Sequence, residues 1–166
     1  MKTVVQRVSR AEVRVEGEVV GRVERGVLLL VGVERGDTEA DALATARKIA
    51  GLRIFPGRPP EAPDAEGVQR RDRPPRMDLD LAETKGGCLV ISQFTLAGTI
   101  RKGRRPGFDA AEAPALAEAL YLRVAQELRA QGLPVQTGRF GAHMEVELCN
   151  DGPVTLLVFT RDGAVL

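Results

Sequence analysis

Two short stretches carry the residue types that could do chemistry. The first is Ser92-Gln93-Phe94-Thr95, which follows directly on the apolar run Cys88-Leu89-Val90-Ile91. A polar group at the end of a buried strand is held rigidly and still reaches solvent, which suits catalysis or binding. Ser92 or Thr95 could supply a nucleophile, Gln93 a hydrogen-bond donor, and the local N–H groups an oxyanion hole. Equally, Ser92 and Thr95 could simply cap a strand end. The second stretch is Asn150-Asp151-Gly152-Pro153-Val154-Thr155, in which a turn dipeptide runs into a proline and the proline into an apolar strand. Proline in a sheet belongs at a strand's first residue or on an edge. Glycine reaches backbone angles closed to other residues, and an X-Pro bond is the one peptide bond that is inexpensive in cis. Gly152-Pro153 is therefore either a tight turn opening a strand or bare, rigid backbone presented at a site.

The rest of the inventory is thin, and that excludes a good deal. His143 is the only histidine. A Ser/His/Asp triad would have to use it, and a histidine-based metal centre lacks ligands. His143 opens an alternating stretch on the face opposite Met144 and Val146, a place for an exposed or partnered histidine rather than a base. Cys88 and Cys149 form no CxxC pair and no zinc spacing. Both lie in apolar runs and read as small, reduced core residues of a cytoplasmic protein.

The formal net charge of +1 implies no global attraction to nucleic acid, DNA included. Aromatic residues make up only 4% of the chain, which argues against a stacking platform for single strands. An RNA contact would have to be local. The candidates are Arg101, Lys102, Arg104 and Arg105, in a Gly-rich loop directly after the quartet. Guanidinium forks match phosphate oxygens there, unless the run is merely solvated. The first residues show no signal-peptide core. No apolar run approaches the ~20 residues that a membrane span needs.

The elements that must position these stretches follow from periodicity. Thr3 to Val8 reads as a strand, and Ala11 to Val23 alternates around Glu16-Gly17-Glu18 as a hairpin. Val27 to Val33 is continuously apolar, the pattern of a strand buried on both faces. Thr38 with Asp41 resembles a capping box for a helix from Glu39 to Ala50 that ends at Gly51, with Leu43, Ala46, Ile49 and Ala50 inward. Pro56 to Arg76 holds six of the ten prolines and a basic cluster at Arg70, Arg71, Arg73 and Arg76. It reads as a long loop insertion, either a solvated surface excursion or a flap on RNA. Met77 to Leu81 and Cys88 to Leu96 are strands. Pro114 opens a helix with Leu116, Leu120, Val124 and Leu128 on one face. His143 to Cys149 and Val154 to Thr160 are two further strands. One domain spans residues 1–166. Its class is α/β of the α+β type, a curved antiparallel or mixed sheet, partly barrel-like, with two main helices packed on it.

Ser92-Gln93-Phe94-Thr95-Leu96 and Asn150-Asp151-Gly152-Pro153-Val154-Thr155 together resemble the two signature motifs of the D-aminoacyl-tRNA deacylases. Val5-Gln6-Arg7-Val8, Val15-Glu16-Gly17-Glu18-Val19, Arg104-Arg105-Pro106 with Phe108, Ala119-Leu120-Tyr121 and Gln136-Thr137-Gly138-Arg139-Phe140-Gly141-Ala142 extend the likeness, in order, over nearly the whole chain. The departures are local: the long Pro56–Arg76 stretch, His143 where an acidic residue is usual, and Cys149 where an aliphatic one is common. The resemblance implies hydrolysis of the ester joining a D-amino acid, or mischarged glycine, to the terminal adenosine of tRNA. It implies no metal or organic cofactor. It implies a homodimer in which a cis Gly152-Pro153 reaches into the partner's site as a chiral filter, supported by Arg7. Gln93 and Thr95 would act mainly through backbone groups. Ser92, Phe94, Phe140 and Asn150 would bind substrate. A covalent Thr95 ester and a non-catalytic tRNA-binding module are the competing expectations.

Overall fold

Two strands are apolar from end to end because both of their faces are covered. The computed structural model describes residues 1–57, 76–101 and 103–166. Its strands are β1 (Lys2–Val15), β2 (Glu18–Val23), β3 (Gly26–Gly32), β4 (Phe55–Pro56), β5 (Met77–Leu79), β6 (Gly87–Ser92), β7 (Val135–Thr137), β8 (Glu145–Arg161) and β9 (Ala164–Val165). The helices are α1 (Glu39–Ala50) and α2 (Pro114–Ala130). The main sheet runs β7-β6-β3-β1-β8-β9, with β2 paired to the far half of β1. The pairs β3–β6 and β6–β7 are parallel, and the other pairs in this sheet are antiparallel. β4 and β5 form a separate two-stranded ribbon.

On one face Val27, Leu29, Val31, Cys88 and Val90 meet the helices. On the other face Leu28, Leu89 and Ile91 pack with Val8, Ala11, Val13 and Val23. The β1–β2 hairpin and the start of β8 therefore curl over the sheet as half of a barrel. Gly21 makes the closure possible, because a Cβ there would lie 2.8 Å from the Thr137 carbonyl oxygen on β7.

This is the expected α+β arrangement, with corrections in detail. The inward stripe of α1 is Asp41, Ala42, Thr45, Ala46 and Ile49, one step round from the expected one. Polar residues enter it because they find partners: the Thr45 and Thr160 hydroxyls are hydrogen-bonded at 2.9 Å, and Asp41 accepts from Gly163 N–H at 3.0 Å. On α2, Leu120, Val124 and Leu128 are buried with Tyr121, but Leu116 is exposed. Cys88 is buried, whereas Cys149 is exposed. Alternation explains this, since Met144 and Val146 take the inward face of β8 and Cys149 has the opposite parity. The segment 58–75, with Arg70, Arg71 and Arg73, and Lys102 lie outside the described residues. No described helix is long and apolar enough to cross a membrane.

Asp41 ties the start of α1 to the end of the chain. Burial raises its carboxyl, but hydrogen bonds from Gly163 and Thr38, with the nearby amino terminus, outweigh burial and hold the pKa below the ordinary aspartate value. A depressed folded-state pKa stabilises the fold above the unfolded value of about 3.9, and that contribution fades as pH falls through the folded value. Asp41→Asn should therefore lower stability at neutral pH and flatten its decline below about pH 4. Urea titrations across that range give the measurement; parallel pH profiles for variant and parent would refute it.

Candidate functional site: an open cavity and a clamped backbone turn

Strand β6 stops at Ser92, short of the Leu96 end that its sequence pattern suggests. Gln93 N–H donates to Val31 O at 2.8 Å, the last tie to β3. The chain then tightens into a 3-10 turn, Phe94–Ala97, closed by Leu96 N–H donating to Gln93 O at 3.2 Å. Gly32 is what lets this turn lie over the end of β3: a Cβ there would sit 2.7 Å from Leu96 Cβ and 3.0 Å from Gln93 O. The Phe94 ring is 57% exposed, yet it is held edge-on against Phe108 at 5.0 Å. The Gln93 side-chain amide donates to the Thr95 hydroxyl. The N–H groups of Phe94 and Thr95 open the turn, where no intrahelical acceptor exists.

A cavity of about 470 Å³ lies beside this turn. Its walls are Ser92, Gln93 and Phe94, the segment Phe140 to Met144, and Glu112, Pro114 and Ala117 around the start of α2. The expected residues Ser92, Gln93, Phe94 and Phe140 are thus brought together. Phe140 is also tilted against Tyr121, with centroids 6.1 Å apart. Thr95 stands exposed at the edge and is not part of the lining. His143 lines the cavity, yet no hydrogen bond joins it to Ser92 or Thr95 among the described residues. Burial pushes the Cys88 thiol up to about 12, so it is no nucleophile. Sequence reasoning assigned no site role to Gly32, Phe108, Glu112 or Ala117. Phe108 was visible only as part of the resemblance, and Gly32 only as a glycine near the end of an apolar run.

Asn150 and Gly152-Pro153 stand apart from this cavity. The expected turn between two strands is instead an excursion within one long strand. Val8 on β1 pairs with Asn150 and Gln6 with Thr155, so the four residues 151–154 lie opposite Arg7 alone. The Gly152–Pro153 bond is cis, and both residues are exposed. Asn150 spans the excursion: its amide donates to the Thr155 hydroxyl at 2.9 Å, and its Oδ1 accepts from Val154 N–H at 2.9 Å. Arg7, only 7% exposed, braces it from beneath. Its Nε donates to Asp151 O at 2.9 Å, and its Nη1 donates to Ile54 O at 2.5 Å. The two hydrogen bonds of Asn150 make its side chain a clip across the turn. Arg101, Arg104 and Arg105 are exposed on a loop pinched by reciprocal bonds between Thr99 and Gly107.

Residues 4–159 match the family model described as D-Tyr-tRNA(Tyr) deacylase. The chain belongs to that family. It is 53% identical over 161 residues to a protein of Anaeromyxobacter dehalogenans named D-aminoacyl-tRNA deacylase, covering 97% of this chain and 98% of that one. The same name is carried by a Symbiobacterium thermophilum protein, 52% identical over 158 residues and covering 95% of each. Among solved structures, one titled c-Myc DNA Unwinding Element Binding Protein superposes with a TM-score of 0.80 at 34% identity, over 97% of this chain and 99% of that one. A second, titled as a probable eukaryotic D-amino acid tRNA deacylase, has a TM-score of 0.71 over 94% of this chain and 97% of that one; at 20% identity it speaks for the fold alone. The two stretches that carried the resemblance are here the cavity wall at Ser92–Phe94 and the clamped excursion at Asn150–Thr155.

Proposed function

We propose that this chain hydrolyses the ester of D-aminoacyl-tRNA, and of glycine mischarged onto tRNA, releasing the free amino acid. The observation that carries this reading is the separation of the two motifs. The cavity has Ser92, Gln93 and Phe94 on its wall but neither Gly152 nor Pro153, while Gly152-Pro153 is braced by Arg7 and exposed. A second copy would complete each cavity with the other's turn. An apolar row runs on from the turn along β8, with Leu157 62% and Phe159 38% exposed, and gives that copy a surface to cover.

The mechanism follows from the groups available. The terminal adenosine enters between Phe94 and Phe140, and the ester carbonyl faces the turn at Phe94–Thr95, whose N–H groups stabilise the oxyanion. The vicinal ribose hydroxyl positions or activates water, so that no protein base is needed and orientation does the rest. The carbonyls of Gly152 and Pro153 occupy the direction an L side chain would take. Exclusion by a backbone that cannot relax admits many D side chains and rejects L ones. Glycine has nothing to clash. Arg101, Lys102, Arg104 and Arg105 serve as phosphate contacts for the acceptor end.

Incubating the protein with D-Tyr-tRNA and L-Tyr-tRNA tests the reading: D-tyrosine is released, and L-Tyr-tRNA persists at least about 100-fold longer, the size of discrimination a rigid steric wall gives. No release of D-tyrosine would leave only a tRNA-binding module. Thr95→Ala addresses the rival covalent route. With the Thr95 hydroxyl accepting from Gln93 rather than facing a base, the variant should keep activity within about tenfold. Complete loss in a folded variant would favour a Thr95 ester.

A further inference from the structure

A second cavity, about 420 Å³, lies between the tip of the β1–β2 hairpin and the segment 139–145. Ala142 and His143 line both cavities, so the two are neighbours across a shared wall. We propose that this second cavity is a subsite for the nucleotide preceding the terminal adenosine, with Arg139 and Arg14 receiving the phosphodiester between the two. The inference rests on reading the first cavity as the seat of the terminal nucleoside.

Connectivity is the first argument. An RNA end that places its last nucleoside in the first cavity must carry its chain out over the rim, and the Ala142–His143 wall is a rim with a second concavity behind it. Chemistry is the second. The first cavity is walled by Phe94, Phe140 and Met144. The second is lined by Arg14, Arg139 and His143 together with Glu16 and Glu145. Arg14 is oriented in advance, because its guanidinium donates to Glu12 and to Gly17 O at 3.4 Å. Arg139 is exposed and enters no ion pair among the described residues. A guanidinium fork takes two phosphate oxygens at once. Glu16 and Glu145 offset the two guanidinium charges, and Glu12 already pairs with Arg14, which leaves Arg139 as the principal phosphate contact and makes the site unsuited to a free anion. The carboxylates do suit a nucleotide, which brings amino donors along with its phosphate. His143 stands at the crossing, on the wall that the two cavities share.

The test compares three D-tyrosyl esters: of adenosine, of the dinucleotide CpA, and of full-length tRNA. The parent protein should hydrolyse the CpA ester with kcat/KM about tenfold above the adenosine ester, the worth of one charge-assisted contact. Arg139→Gln should lose that advantage through KM, keep its rate on the adenosine ester, and melt with the parent; Arg139→Lys should recover part of it. Inorganic phosphate should not compete. Equal losses on both small esters, loss on neither, or strong phosphate competition would overturn the subsite while leaving the deacylase reading intact. A parent protein inactive on all three esters would sink that reading, and the subsite with it.

Discussion

Gly152→Ala is expected to cost at least about 100-fold in kcat/KM toward D-Tyr-tRNA, some 2.7 kcal/mol of transition-state stabilisation. The reason is local and steric. Gly152 has φ +133°, and an added Cβ would lie 2.8 Å from Val154 Cγ2 and 2.9 Å from Arg7 Nη2. An arginine tip normally swings aside at little cost. This one is buried and tied to the carbonyls of Asp151 and Ile54, so the turn itself has to move. Strain in such a backbone region amounts to roughly 1–3 kcal/mol, a fall in Tm of several degrees for a chain of this size. The variant should therefore fold and be nearly inactive. Near-parent turnover would remove the Asp151–Val154 excursion from the site.

Gly32→Ala should produce a comparable loss from the opposite wall. Its Cβ would meet Leu96 Cβ and the Gln93 carbonyl oxygen at 2.7 and 3.0 Å. Gln93 is fixed to Val31 on one side, so the strain passes into Phe94 and Thr95. Overpacking of this kind costs about 1–3 kcal/mol of stability, and an ångström of displacement at a positioned group costs about 100-fold in rate. The two variants also test one another. If the turn of one subunit serves the cavity of its partner, mixed dimers of Gly152→Ala and Gly32→Ala chains contain one site with both parts intact. Random exchange at equal amounts should then restore about a quarter of the parent's activity. If turn and cavity work within one chain, no mixture recovers anything.

What the sequence made legible follows from where the physics is local. The β3 run and the α1 cap are decided by neighbours a few residues away, and both appear as read. The inward face of α1 is not. Asp41 and Thr45 are buried because Gly163 and Thr160 meet them from more than a hundred positions along the chain, and periodicity registers them only as polar. Gln93 to Leu96 looked like continuing strand because apolar Phe94 and Leu96 keep the alternation; the close approach to Gly32 that bends the chain is a tertiary fact. Alternation also put Cys149 on the face opposite Met144 and Val146, but which of the two faces is covered was a tertiary matter, and Cys149 meets solvent. The quartet and the Gly-Pro step were visible as oddities, but only the resemblance, and nothing in their spacing, implied that they do not line one cavity within a subunit.

The excursion opposite Arg7 is also an inverter. Before it, the even-numbered Met144 and Val146 face the half-barrel side of the sheet. After it, the even-numbered Val154 and Val158 face the helices. Five steps along β8 match two along β1, so the strand leaves the excursion turned over. Adding or deleting one residue between Asn150 and Thr155 would rotate everything downstream, sending Val154 and Val158 outward and Leu157 and Phe159 into the core, since strand side chains alternate with a period of two. The length of this stretch is thus bound to the packing of the last part of β8 and of β9 behind it. A substitution in the stretch acts on the turn alone, whereas a change of length acts on every strand residue after it.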